Sequence, residues 1–181
     1  LFIVEGSLGD NASPDVSGLV GQYAQGNEPS HHVIYMYNYI GQPWKCQKWV
    51  RYVADNFYGN QPGSLSGNDD CGQMSAWYIF SALGFYPVCP GSDQYVLGAP
   101  YLPYLRLTLP NGRAVEVRAK GVSDRRRYVK RLLVNGQPYE RLYITHDMLL
   151  RGCTLDFEMS EKPNRTRGLR PSDQPYSMTK E

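Results

Sequence analysis

Between Met74 and Leu83 the chain carries Met74, Ala76, Trp77, Tyr78, Ile79, Phe80, Ala82 and Leu83, a helical stretch apolar almost all round. A helix without a polar face must be covered on every side. Two neighbouring helices cannot do that, so either the later part of the chain folds over it or elements outside the chain do. Directly before it stands Gly67-Asn68-Asp69-Asp70-Cys71-Gly72-Gln73. Acidic residues ahead of a helix cap its free N–H groups and suit its positive end, yet a pair exceeds what capping requires. Capping with loop hydrogen bonds is one reading. The other is half of a carbohydrate-hydrolysing centre, since sites are built on loops carried by a rigid scaffold.

The periodicity changes near Tyr95, helical before it and alternating after it. Gly6 to Gly26 is rich in Gly, Ser, Asp and Asn and reads as loop, with one short helix near Val16–Gln22. A helix is expected over Ser30–Tyr39, stopped by Gly41, and a second over Pro43–Phe57, where Trp44, Val50, Val53, Ala54 and Phe57 share one side. A third runs from Asp70 to Leu83 and is stopped by Gly84 and Pro87. Beyond it, Leu105, Leu107 and Leu109 alternate with polar residues up to Asn111-Gly112, whose residues suit the positive φ of a tight hairpin. A second hairpin is expected around Asn135-Gly136, joining Leu132–Val134 to Tyr139–Ile144. Leu155, Phe157 and Met159 alternate again. These strands describe an antiparallel sheet with one buried face. The segment from Pro163 is polar and irregular.

Lys and Arg total 19 against 17 Asp and Glu, so no overall basic face points to nucleic acid. The Arg125-Arg126-Arg127 run reads as a solvated turn. No apolar run is long enough to span a membrane and no signal peptide opens the chain. Leu1-Phe2-Ile3-Val4 reads as a start in mid-sequence, as in a fragment. Cys46, Cys71, Cys89 and Cys153 form no metal-type spacing and are expected as buried thiols. The 15 Tyr and three Trp suit sugar stacking and core filling alike.

Two further clusters carry candidate chemistry. In Gly26-Asn27-Glu28-Pro29-Ser30-His31-His32, the Asn27 and Glu28 oxygens are hard donors of the kind calcium prefers, although Glu28 also reads as a helix-start residue. His31 and His32 diverge on a helix and make a poor metal pair; a hydrogen bond near a sugar suits them better. In Gly41-Gln42-Pro43-Trp44, Trp44 reads either as core or as a sugar platform.

Taken together, Gly21 to His32, Tyr37 to Trp44, Gly67 to Trp77 and Ala82 to Ser92 closely resemble glycoside hydrolase family 92, calcium-dependent exo-acting α-mannosidases, many of which cleave α-1,2 links. The resemblance implies an α+β fold class: the last helices of an (α/α)6-type barrel (1–93), an antiparallel β hairpin region (94–162) and an irregular tail (163–181). It implies an inverting mechanism on terminal mannose of glycans, with acid and base roughly 6.5–9.5 Å apart. Asp70 resembles the base, supported by Asp69 and Asn68. Asn27 and Glu28 resemble the surroundings of a Ca²⁺ that holds O2 and O3 of the mannose. His31, His32 and Trp44 would bind substrate. The family's acid lies upstream of Leu1, and Glu5 is the nearest substitute. The partners implied are an α-mannoside glycan and the N-terminal part of the same enzyme, at a secreted, periplasmic or cell-surface location. A non-catalytic calcium-dependent sugar-binding module is the competing class, and a calcium-stabilised structural domain a third.

Overall fold

The structure is a computed structural model that describes residues 1–4 and 16–180; Glu5 and the first part of the Gly6–Gly26 loop, through Asp15, lie outside the described residues. The first ordered pair is a small antiparallel ribbon, β1 (Leu19–Val20) with β2 (Tyr23–Ala24). It replaces the short helix expected near Val16–Gln22. Gly18 and Gly21 have φ of 63° and 58°, which no right-handed helix accommodates. A 3-10 turn at Glu28–Ser30 leads to a helix over Val33–Ile40, largely within the helix expected over Ser30–Tyr39, and it is of the 3-10 type. Its β-branched and aromatic residues (Val33, Ile34, Tyr35, Tyr37) are weak α-helix formers. Gly41 ends it as anticipated, in the left-handed region at φ 65°.

Helix α1 spans Pro43–Phe57, with Pro43 in the first turn where a missing N–H costs nothing. Its stripe of Cys46, Val50, Val53 and Ala54 is buried. Helix α2 covers Gln73–Leu83 and closes on Gly84 at φ 92°. The strands follow: β3 (Phe85–Tyr86), β4 (Gln94–Leu97), β5 (Tyr104–Thr108), β6 (Ala114–Arg118), β7 (Tyr128–Val134), β8 (Gln137–Pro138), β9 (Tyr143–Thr145), then a one-turn helix α3 (His146–Leu150) and β10 (Cys153–Ser160). Both expected tight turns form: β5 pairs β6 and β7 pairs β8, with Asn135 and Gly136 at φ 50° and 79°. The partner expected for β7 beyond Tyr139 goes elsewhere, because β9 joins β3 and β4 in a separate three-stranded sheet.

The larger sheet has the order β5-β6-β10-β7-β8. Here the expectation of a purely antiparallel region is corrected: β10 runs antiparallel to β7 but parallel to β6. The last strand slots into the centre because its alternating Cys153, Leu155, Phe157 and Met159 complete the buried face. That face, with Val115, Val117 and Leu132, packs on Leu83 and Phe85. A second core joins Ile34, Tyr35, Cys46, Val50, Val53, Trp77 and Tyr86. Helix α2 thus bridges the two cores with opposite ends. It is not enclosed, since Ile79 is 58% exposed. Cys46 and Cys153 are buried, but Cys71 and Cys89 are exposed, contrary to expectation, and all are free thiols. The irregular tail is tied down through the buried Arg167, which donates to the carbonyls of Tyr139 and Arg141 at 3.2 and 2.9 Å.

Leu155, fully buried at the centre of the larger sheet, gives the test of this architecture. Leu155→Ala is expected to cost about 3 kcal/mol in urea unfolding, the usual price of a core cavity. A loss below about 1 kcal/mol would mean that β10 is not the central strand.

A candidate active site where two loops meet

Three chain segments converge ahead of α2. The amides of Gln25 and Gly26 donate to the carbonyls of Gly18 and Ser17 at 3.0 and 3.1 Å. The loop before α2 then packs on the same strip: a Cβ on Gly26 would overlap Ser17 Oγ and come within 2.5 Å of the Ser66 carbonyl oxygen. A Cβ on Gly67 would lie 3.5 Å from the Gly26 carbonyl oxygen. Backbone meets backbone here, and only glycine at position 26 leaves the room. The contact sets Asn27-Glu28 beside Asn68-Asp69-Asp70.

The two adjacent aspartates separate into different tasks. Asp69 Oδ1 accepts from both the amide and the hydroxyl of Ser75, each at 2.9 Å, so it caps the first turn of α2. Asp70, Cys71 and Gly72 all adopt positive φ, at 43°, 57° and 94°, so the helix begins at Gln73 rather than at Asp70. This left-handed run turns Asp70 away from the helix end. Its exposed carboxyl instead meets that of Glu28. Interaction with the neighbouring Glu28 carboxyl is the main influence raising the Asp70 pKa above the usual carboxylate range, with partial desolvation and the charges of Glu28 and Asp69 adding to it. Two neighbouring carboxyls oppose each other's ionisation, and a shared proton or a cation relieves that.

Glu28 has an unpaired side. Its Oε1 is shielded from solvent and has no hydrogen-bond partner, although an unsatisfied buried acceptor is costly. Asn27, at the start of the Glu28–Ser30 turn, makes no side-chain capping bond. Asn27 and Asn68 are both exposed. An oxygen-only set with an orphaned carboxylate oxygen fits a hard divalent cation such as calcium. Among the described residues no group of three or more His, Cys, Asp or Glu forms a metal-type cluster, so any such site would draw on the amide side chains, carbonyls or water as well.

The other expected contacts lie elsewhere. His31 is 1% exposed and both ring nitrogens are engaged: Nε2 with the Gln25 carbonyl at 2.9 Å, Nδ1 with Gln73 Nε2 at 3.1 Å. No nitrogen is left for a sugar, and burial lowers its pKa. His32 is half-buried beside a cavity of about 600 Å³ lined by Phe2, Val33, Met36, Tyr37 and Ile40. Trp44 lies under the Arg165 guanidinium at 5.9 Å, and no recorded contact joins it to the acidic loops. Sequence reasoning missed Gln73 and Tyr86, which join His31 in a buried polar network. Tyr86 looked like an ordinary core aromatic, and the only hint for Gln73 was its place three residues after Asp70.

Solved structures share this fold. The chain is similar to the family GH92 alpha-mannosidase BT3965 from Bacteroides thetaiotaomicron, at 47% identity and a TM-score of 0.91 over 98% of this chain and 23% of that one. It is also similar to the family GH92 inverting mannosidase BT2199 from the same organism, at 47% identity and a TM-score of 0.82 over 88% of this chain and 22% of that one. A protein of the fungus Arthroderma benhamiae described as an uncharacterized secreted glycosidase is 28% identical over 84% of this chain and 20% of its own length. These relatives are described as mannosidases or a glycosidase. The profile of the glycosyl hydrolase family 92 catalytic domain matches residues 2–161, and the chain belongs to that family. It spans only about a fifth to a quarter of the length of these relatives.

The division of labour between the aspartates is measurable. Asp69→Ala is expected to lose about 1 kcal/mol of stability with its two capping bonds. Asp70→Asn, which tolerates the φ of 43° as Asp does, should leave the melting temperature unchanged or raise it, by removing one of two crowded charges. Equal losses from both would show that Asp70 serves only the helix.

Proposed function

We propose that this chain is the C-terminal portion of a calcium-dependent, inverting exo-α-mannosidase, with Asp70 as general base. The observation that carries the reading is the Asp70 carboxyl: it takes no part in capping and is held against a Glu28 whose Oε1 has no partner. In this reading Asp70 accepts a proton from the water that attacks the anomeric carbon of a terminal mannose. Asp69 fixes the helix entrance behind it, and Asn68 lines the loop beside it. Asn27 and Glu28 would hold Ca²⁺, which supplies positive charge for the sugar's hydroxyl oxygens. His32 remains the sugar-facing member of the histidine pair, and Trp44 would serve only if the glycan reaches that side of the protein.

The Glu28 carboxyl lies close enough to Asp70 to raise its pKa. An inverting acid–base pair needs roughly 6.5–9.5 Å, which supports placing the acid outside this chain and Glu28 with the cation. Residues 1–93 would then supply the last helices of an (α/α)6-type barrel, residues 94–162 the closing sheet and residues 163–181 the tail. The apolar surface left by Met36 at 50%, Ile40 at 62% and Ile79 at 58% exposure supports further helices there. The secreted description of the fungal relative supports a secreted, periplasmic or cell-surface location. An α-1,2 preference follows from the family resemblance.

Hydrolysis of α-1,2-mannobiose tests the reading. A polypeptide extended N-terminally to the length of the relatives should turn it over with inversion, and Asp70→Asn should lower kcat by about 10²- to 10⁴-fold while calcium-dependent ligand binding persists. The chain alone should be inactive. Near-native rates in Asp70→Asn would remove it from the role, and sugar binding with no turnover in any extended form would favour a binding module.

Calcium offers a separate test. At a hundredfold excess over its dissociation constant it should stabilise the fold by about 2.7 kcal/mol, read as a higher melting temperature reversed by chelation. Glu28→Gln should lose most of that shift. An unchanged shift in Glu28→Gln would place the ion elsewhere.

A further inference from the structure

Beneath the two acidic loops runs an unbroken chain of hydrogen bonds that the reaction scheme does not use. The His31 amide donates to the Glu28 carbonyl at 2.9 Å, and the Gln73 amide donates to the Asp70 carbonyl at 3.2 Å. Between those ends, the Gln73 side chain meets the His31 ring. The Gln25 carbonyl can only accept, so His31 Nε2 carries the proton and Nδ1 is the acceptor. Gln73 Nε2 then donates to Nδ1 at 3.1 Å and to Tyr86 Oη at 3.1 Å, using both of its hydrogens. Trp77, one turn further along α2, donates its indole N–H to the His31 carbonyl at 3.2 Å. The first turn of α2 therefore grips His31 by ring and backbone together. Neighbouring bonds fix the other end: Gln25 Nε2 donates to Tyr58 Oη at 2.8 Å, and Tyr23 donates to Gln25 Oε1.

From this we infer that His31 and Gln73 are positioning residues that set the separation of the Glu28 and Asp70 carboxyls, a role that rests on the reading of Asp70 as base and Glu28 as cation ligand. The physical ground is geometric. Glu28 sits on a single 3-10 turn and Asp70 on a left-handed loop, and neither element is rigid alone. Among the described residues, the Gln73 bond to the His31 ring, beside the Trp77 bond to the His31 carbonyl, joins the chain just after the turn carrying Glu28 to α2, which follows the loop carrying Asp70. His31 is buried and Gln73 half-buried, so the bond is partly shielded from competing water. Groups that orient metal-binding or catalytic side chains typically change affinity or activity about 10- to 100-fold when removed.

The test compares variants of the full-length enzyme carrying this chain. An asparagine amide oxygen falls near the place of a histidine Nδ1, whereas a glutamine amide nitrogen falls near that of Nε2. His31→Asn thus keeps the link to Gln73, and His31→Gln keeps only the link to Gln25. Gln73→Leu removes the link from the other side. In α-mannoside hydrolysis, Gln73→Leu and His31→Gln should lower kcat about 10- to 100-fold with KM within about threefold, and His31→Asn should stay within about threefold of the parent. Calcium affinity measured by calorimetry should follow the same order. Should Gln73→Leu not fold, the two His31 variants read the same bond. The inference is overturned if all variants melt lower yet keep parental kcat and calcium affinity, or if His31→Asn falls as far as His31→Gln. Parental rates in Asp70→Asn would instead sink the reading of Asp70 itself, whereas a dead Asp70→Asn beside a fully active Gln73→Leu would sink only this inference.

Discussion

Everything at the candidate site depends on the close approach of two backbones at Gly26 and Gly67. With a Gly26 Cβ only 2.5 Å from the Ser66 carbonyl oxygen, any side chain at position 26 would force the segments apart. With Gly26 leaving that room and Gly67 accepting a φ of 101°, the residues just downstream, Glu28 and Asp70, lie close enough for Glu28 to raise the Asp70 pKa. Two carboxyls do not settle side by side on their own account, since each opposes ionisation of the other. The fold spends stability to hold them there, as proteins commonly do at functional sites.

Helix α2 links that unfavourable arrangement to the rest of the molecule. Its N-terminal turn is fixed by Asp69 below Ser75 and by Gln73 against His31. Its C-terminal turn is fixed by Leu83 in the core of the larger sheet. The sheet thus anchors the helix whose other end presents the acidic loop. A second clasp joins sheet and helices at a distance from the site: Arg51 on α1 binds Asp55 and reaches Asp124 in the β6–β7 loop at 2.8 Å, with its guanidinium 4.2 Å from the Tyr101 ring.

Local signals in the sequence were read well where a single residue decides the backbone. Pro43 marked the start of α1, Gly41 and Gly84 marked helix ends, and Asn111-Gly112 and Asn135-Gly136 marked hairpins. Signals that depend on distant partners were not legible. The parallel seat of β10 beside β6 leaves no trace in an alternating pattern that suits either direction. The left-handed run at Asp70-Cys71-Gly72 was hidden because only its glycine announces positive φ. That run decides which aspartate caps and which is free, so the pairing of Asp70 with Glu28 could not be derived locally. Calcium and the base assignment came from resemblance, while the residues alone offered hard oxygen donors and a surplus carboxylate. The burial of His31 was not legible either: both its ring nitrogens are engaged, by Gln25 and Gln73, and Trp77 bonds its carbonyl, all partners distant in sequence or brought close by the fold.

The central claim concerns where one carboxylate points when sugar is present. A crystal structure of the extended enzyme with a mannose-like inhibitor and calcium measures this directly. The account expects the Asp70 carboxylate to accept a hydrogen bond from a water on the face of the anomeric carbon opposite the leaving oxygen, with Glu28 on the cation. A structure in which Asp70 faces bulk solvent while a different carboxylate holds that water would contradict it.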